Sequence, residues 1–162
     1  MKNIFLSIAL LLAGAALFAQ SVSFSSADLD KNKITDEIFS AADVTVVNVW
    51  GTFCPPCIRE MPELAEWQKS MPKNVQIIGI VCDVNSTDDA KGISNAKAIL
   101  KKAGATFPNV IANQSLAQFL NGIQFVPTTF LVDKNGNIVG DMIVGAQVAK
   151  YKKAVEDYLA KK

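Results

Sequence analysis

The chain has 162 residues, half of them hydrophobic, and a formal net charge of +1. That is apolar material for one domain with a full core and too little for two. The scattered lysines form no basic face for nucleic acid, and Arg59, the sole arginine, excludes a multi-arginine clamp on phosphate or carboxylate.

Residues 1–19 read as a secretory leader: Lys2 supplies the positive start, Ile4 to Phe18 the apolar stretch, and Ala19 a small residue at a cleavage point. Cleavage there places Leu17 at the −3 position, and cleavage after Ala16 would place Gly14 there. An uncleaved anchor is the alternative, although about 15 apolar residues fall short of the roughly 20 that span a bilayer comfortably. No cysteine near its end supports a lipid-modified terminus. Residues 20–162 are then a single exported domain, with periplasm or the outer face of the cytoplasmic membrane as its expected location.

Ser21 to Ser40 is polar and turn-rich. Phe24 and Leu29 flank an Asp30-Lys31-Asn32-Lys33 turn, which predicts a short hairpin covering a sheet edge, and Thr35 is placed to cap a brief helix through Phe39. Val44 to Val49 is a mostly β-branched run and predicts a buried strand. Trp50 follows, expected to pack beneath the next loop with a secondary share in a substrate-facing surface, and Phe53 is expected to be exposed on a docking face.

Cys54-Pro55-Pro56-Cys57 then opens a helix in which Ile58, Met61, Leu64 and Ala65 recur at helical spacing. Residues three apart share a face of the first turn, which brings the two sulfurs within disulfide reach. Free N–H groups and the positive end of the dipole favour a thiolate on Cys54. Pro55 and Pro56 carry no N–H, so the donors left in that turn are those of Cys57 and Ile58. The expectation is one activated, exposed thiol with a resolving partner behind it. A zinc site would need four ligands, and the chain has no histidine and one further cysteine, Cys82. A purely structural bridge closing so short a loop would constrain the unfolded chain little. Pro62 should kink the helix. Glu60, Glu63 and Glu66 fit a solvated face, with Glu60 near enough to the cysteines to affect their titration and so a candidate proton relay.

Val75 to Val81 predicts a parallel inner strand ending at Cys82-Asp83. Strand ends of this kind gather at the functional edge, so Asp83 is a candidate carboxylate near the cysteines, with an ordinary turn aspartate as the alternative. Cys82 reads as a small buried hydrophobe. A helix is predicted over Ala90 to Ala103, stopped by Gly104, then a short strand over Phe107 to Ile111 and a short helix over Ser115 to Leu120. Val126-Pro127-Thr128 opens another strand. Asp133 to Asn137 is a hairpin turn in which Asn135-Gly136 supplies positive φ angles, and Ile138 to Val144 returns. Gly145 allows close backbone approach. Gln147 to Leu159 is a helix with Val148, Tyr151 and Val155 on its apolar face.

Trp50 to Cys57, Glu60-Met61-Pro62 and Val126-Pro127-Thr128 together resemble the thioredoxin superfamily, in particular its extracytoplasmic TlpA/ResA-like (redoxin) branch, over roughly residues 24–160. The resemblance implies a three-layer α/β/α sandwich with a central mixed sheet, an N-terminal hairpin and a central α/β insertion. It implies a cis Val126–Pro127 bond that presents the Val126 backbone to a substrate segment, with Trp50, Phe53, Pro55 and Pro56 completing the substrate-facing surface. Asn48 stands where thioredoxins proper carry a buried aspartate, as is typical of the branch, so the acid/base must come from elsewhere or be water. The branch often carries a glutamate a little past Asp83, where this chain has Val84-Asn85-Ser86.

The implied activity is thiol–disulfide exchange, with Cys54 as nucleophile and Cys57 as resolving residue. It would reduce protein disulfides, as in cytochrome c maturation, with a membrane electron-donor protein as partner and no bound cofactor or metal beyond the Cys54–Cys57 disulfide. A monomer is expected. Two other classes compete. A copper- or haem-handling thiol module would use the dithiol as a soft ligand pair. A thiol peroxidase would usually place threonine three before its cysteine and use a distant arginine, whereas here Thr52 lies two before Cys54.

Overall fold

A computed structural model describes residues 21–161, so the leader, its alternative as an anchor and the domain boundary at residue 20 lie outside what is described. Among the described residues no helix is long and apolar enough to cross a membrane.

The first elements form the expected hairpin, β1 (Ser25–Ala27) and β2 (Lys33–Thr35), paired antiparallel. Asp28 makes its turn by accepting hydrogen bonds from the backbone N–H groups of Asp30 and Asn32, and Lys31 takes a positive φ of 66°. Thr35 caps a 3-10 helix over Asp36–Ala41 by accepting from Glu37 N.

The main sheet has the order β5-β4-β3-β6-β7. Its strands are β3 (Val44–Trp50), β4 (Val75–Val81), β5 (Asn109–Ile111), β6 (Thr128–Asp133) and β7 (Ile138–Val144). The pairs β3–β4 and β4–β5 are parallel, while β3–β6 and β6–β7 are antiparallel. The mixed sheet with helices on both faces is the thioredoxin-like α/β arrangement. The hairpin lies against β5, where Leu29 N donates to Asn109 O at 3.2 Å and Asp28 bridges Val110, so it covers that edge as expected.

Every residue of β3 is buried because both faces of the sheet are covered. Val44, Val46 and Trp50 face the core built with α1 (Pro55–Ser70), α2 (Ala90–Ala103) and α4 (Val148–Leu159), while Val47 and Val49 face the core that includes Leu116 of α3 (Gln114–Leu120). Period-two alternation therefore turns Asn48 toward the α1 and α4 side. The helix stop at Gly104 is a left-handed C-cap, φ 72°.

The β6–β7 turn differs in detail from its expected form. Gly136 takes the positive φ, 84°, and Asn135 does not. The Asp133 carboxylate instead holds the loop by accepting from the N–H groups of Asn135 and Asn137 at 2.9 Å, which suits a longer loop with one left-handed glycine.

Candidate active site

The two cysteines sit where β3 turns into α1. Cys54 is the N-cap residue, in an extended conformation, and Pro55 and Pro56 occupy the first helical positions, where a missing N–H breaks no helical bond. The two donors of this turn go where the sequence places them. Cys57 N points at Cys54 Sγ, 3.3 Å away, and Ile58 N donates to Cys54 O at 3.1 Å. Cys54 and Cys57 are joined as a disulfide, their Cα atoms 5.3 Å apart.

Access to this disulfide is narrower than an exposed thiol. Cys54 is 4% exposed and Cys57 fully buried. The Val126–Pro127 bond is cis, and it brings Val126 O to 3.4 Å from Cys54 Sγ. Pro127 is buried, Pro55 is exposed and Pro56 half-buried. Behind the cis bond, Gly145 N donates to Pro127 O at 2.7 Å, with Gly145 at φ 88°. This is the close backbone approach that only a glycine makes without strain.

Phe53 is 66% exposed beside the cysteines, and its ring lies over Gly51, where an added Cβ would stand 2.5 Å from Phe53 Cε1. Phe125, equally exposed, stands next to Val126. The sequence reading missed Phe125, because one aromatic residue in an aperiodic loop carries no pattern.

Trp50 has no share in this surface. It is fully buried, and its Nε1 donates to Asn109 Oδ1 at 2.8 Å. Its role is to tie β3 to β5 across β4, over Gly79, where a side chain would run into the Asn109 amide. Asp83 lies at the functional edge, but its carboxylate is committed to the loop before Cys54. It accepts from Thr52 N at 3.0 and 3.1 Å and from Thr52 Oγ1 at 2.5 Å. Those bonds give Asp83 a positioning role for the loop, the turn-aspartate alternative of the sequence. Cys82 is half-buried, and burial pushes its thiol up to about 11, which leaves it a poor nucleophile.

The largest departure is Glu60, expected on a solvated face and found 5% exposed. Asn48 Nδ2 donates to Glu60 Oε1 at 2.9 Å, and the Tyr151 hydroxyl lies 3.0 Å from Glu60 Oε2. Burial outweighs both bonds and raises the Glu60 carboxyl from 4.5 to about 7. The signal was present in the sequence. Glu60 stands three after Cys57 and four before Leu64, on the apolar stripe of α1. Asn48 thus has a buried carboxyl beside it, supplied from α1. Its own Oδ1 is a buried acceptor with no hydrogen-bond partner among the described residues.

A family profile described as Redoxin matches residues 13–157. The chain belongs to the redoxin family. This redoxin is 34% identical over 143 residues to the thiol-disulfide oxidoreductase ResA of Bacillus thuringiensis (strain Al Hakam), an alignment covering 88% of the chain and 76% of the relative. Among solved structures it is similar to a thiol:disulfide interchange protein, a thioredoxin family protein from Chlorobium tepidum TLS. The TM-score is 0.64 at 28% identity, over 78% of this redoxin and 86% of the other chain. The fold is also that of StoA from Bacillus subtilis, with a TM-score of 0.63 at 20% identity, over 84% and 97% of the two chains. With its Cys54–Cys57 disulfide, the redoxin is a thiol-disulfide oxidoreductase.

Proposed function

We propose that this redoxin works outside the cytoplasm as a reductant of protein disulfides, with oxidised apocytochrome c as a candidate substrate and a membrane electron-transfer protein as its electron source. The observation that carries the reading is the Cys54–Cys57 disulfide at a helix N-terminus, set against the Val126 carbonyl with a buried carboxyl one turn behind. The leader-like start of the chain and the ResA relatives support the location and the class.

In the reduced enzyme the Cys54 thiolate attacks one sulfur of the substrate disulfide. A Cys54–substrate disulfide forms and the other substrate sulfur leaves as a thiolate. Extended substrate backbone pairs with Val126, while Phe53, Phe125 and Pro55 supply apolar contact. Cys57 then gives up its proton and attacks Cys54 Sγ, which breaks the mixed disulfide and releases the second substrate thiolate. Two electrons have passed to the substrate, and the enzyme is left as the Cys54–Cys57 disulfide. Glu60 is the acid/base for Cys57, since the two share a face of α1 and a carboxyl titrating near 7 can both take and return a proton at neutral pH.

The test is the equilibrium reduction potential of the Cys54–Cys57 pair against glutathione and dithiothreitol buffers, joined to trapping. A potential well below the glutathione couple, with a mixed disulfide accumulating in Cys57→Ser and not in Cys54→Ser, is expected. A potential near that of strong disulfide-forming oxidants would overturn the reductant reading.

A further inference from the structure

The Tyr151 hydroxyl has one proton and two acceptors in reach. Gly145 O lies 2.6 Å away and Glu60 Oε2 3.0 Å away. Its oxygen also accepts the N–H of Gln147 at 3.1 Å. Thr129, whose hydroxyl accepts from Asn48 Nδ2, borders it as well. A carbonyl oxygen can only accept, so the short contact to Gly145 takes the tyrosine's proton. The contact to Glu60 is then a hydrogen bond when Glu60 carries a proton, and two facing lone pairs when it does not. Once Glu60 ionises, the stronger charge-assisted bond draws the Tyr151 proton to the carboxylate, and Gly145 O loses its donor. Gly145 is the residue whose N–H holds Pro127 O.

We infer that Tyr151 is a positioning residue that couples the proton on Glu60 to the Gly145–Pro127 contact, its hydroxyl bonding Gly145 O when Glu60 is neutral and Glu60 when it is ionised. The inference rests on Glu60 as the proton carrier proposed above. It makes the substrate-facing cis-proline loop sensitive to whether the thiol chemistry has just delivered or withdrawn a proton. Tyr151 can act in this way because its own ionisation lies out of range, burial pushing it up to about 12. The groups that face Glu60 are Asn48 from β3, Tyr151 from α4, and Glu63 on α1 itself, which is ion-paired at 3.5 Å with Lys152.

The test follows carbon-13 shifts of the Glu60 carboxyl, the Tyr151 Cζ and the Gly145 carbonyl in the disulfide form across about pH 5 to 9. All three should move with one midpoint near that of Glu60. A Gly145 carbonyl that stays still while Glu60 titrates overturns the inference, and this reading needs no variant. In Tyr151→Phe the Gly145 response should vanish and the Glu60 midpoint rise by about one pH unit, because the carboxylate loses a donor. An unchanged Glu60 midpoint in the folded variant would reduce Tyr151 to packing. The role of Glu60 toward the thiols is judged separately, by the pH profile of disulfide reduction in Glu60→Gln. Failure there would leave the carbon-13 result standing and remove only its link to the chemistry.

Discussion

Asn48 Nδ2 donates to Glu60 Oε1 at 2.9 Å inside the core, joining the middle of β3 to the second turn of α1. Because that bond does not offset burial, the folded protein keeps a proton on Glu60 that the unfolded chain gives up. Between about pH 4.5 and 7 the native state binds the extra proton, so stability falls as pH rises through that window and stays lowered above it. Glu60→Gln removes the dependence. Denaturant unfolding with the disulfide intact should show the variant gaining on the parent between about pH 4 and about pH 8, by at most about 3 kcal/mol. A constant difference between the two proteins would contradict the raised carboxyl.

Gly79→Ala should be costly although it adds one carbon. The new Cβ runs into the Asn109 amide and comes within 3.0 Å of Trp50 Nε1, so the Trp50–Asn109 bond must break or β4 must move. Denaturation should report a loss of about 2–4 kcal/mol. Tryptophan fluorescence should change with it, which separates this cause from general loosening.

Asp83→Ala removes the acceptor for Thr52 N and Thr52 Oγ1 and frees the loop that leads into Cys54. Thermal unfolding should register a loss of about 1–3 kcal/mol, with Asp83→Asn recovering part of it because an amide oxygen still accepts. If Asp83 relayed protons instead, Asp83→Asn would match Asp83→Ala in activity while keeping its stability.

Phe53→Ser and Phe125→Ser should leave stability within about 0.5 kcal/mol, since both side chains are largely exposed. Steady-state kinetics with a protein disulfide should show KM raised about fivefold or more for each. Turnover of a small-molecule disulfide should not change. Equal loss on both substrates would place the two rings in the chemistry and not in docking.

Much of this was readable from local pattern. The β-branched run before Trp50, the two prolines between the cysteines, Gly104 as a helix stop and Pro127 at a strand start each act through their own backbone or immediate neighbours. What escaped depends on partners far along the chain. Glu60 looked solvated because two other glutamates share its helix, and its burial comes from α4 closing over it 91 residues later. The spacing of α4 puts Tyr151 on the apolar face, but nothing in that spacing tells where the hydroxyl ends. Trp50 fits core or surface by local pattern, and its partner Asn109, 59 residues away, decides for the core. Asp83 stands at the sheet edge that the end of β4 predicts, but its bonds to Thr52, 31 residues earlier, carry no signal in local spacing.

The glycine beneath Phe53 has a thermodynamic meaning beyond fit. A solvent-exposed phenylalanine ordinarily samples several rotamers and must surrender them on contact, whereas this ring has a bed on the Gly51 backbone that a Cβ would obstruct. A ring held there gives up less rotamer entropy on contact than a freely turning one, and Gly51 is the residue that leaves room for it.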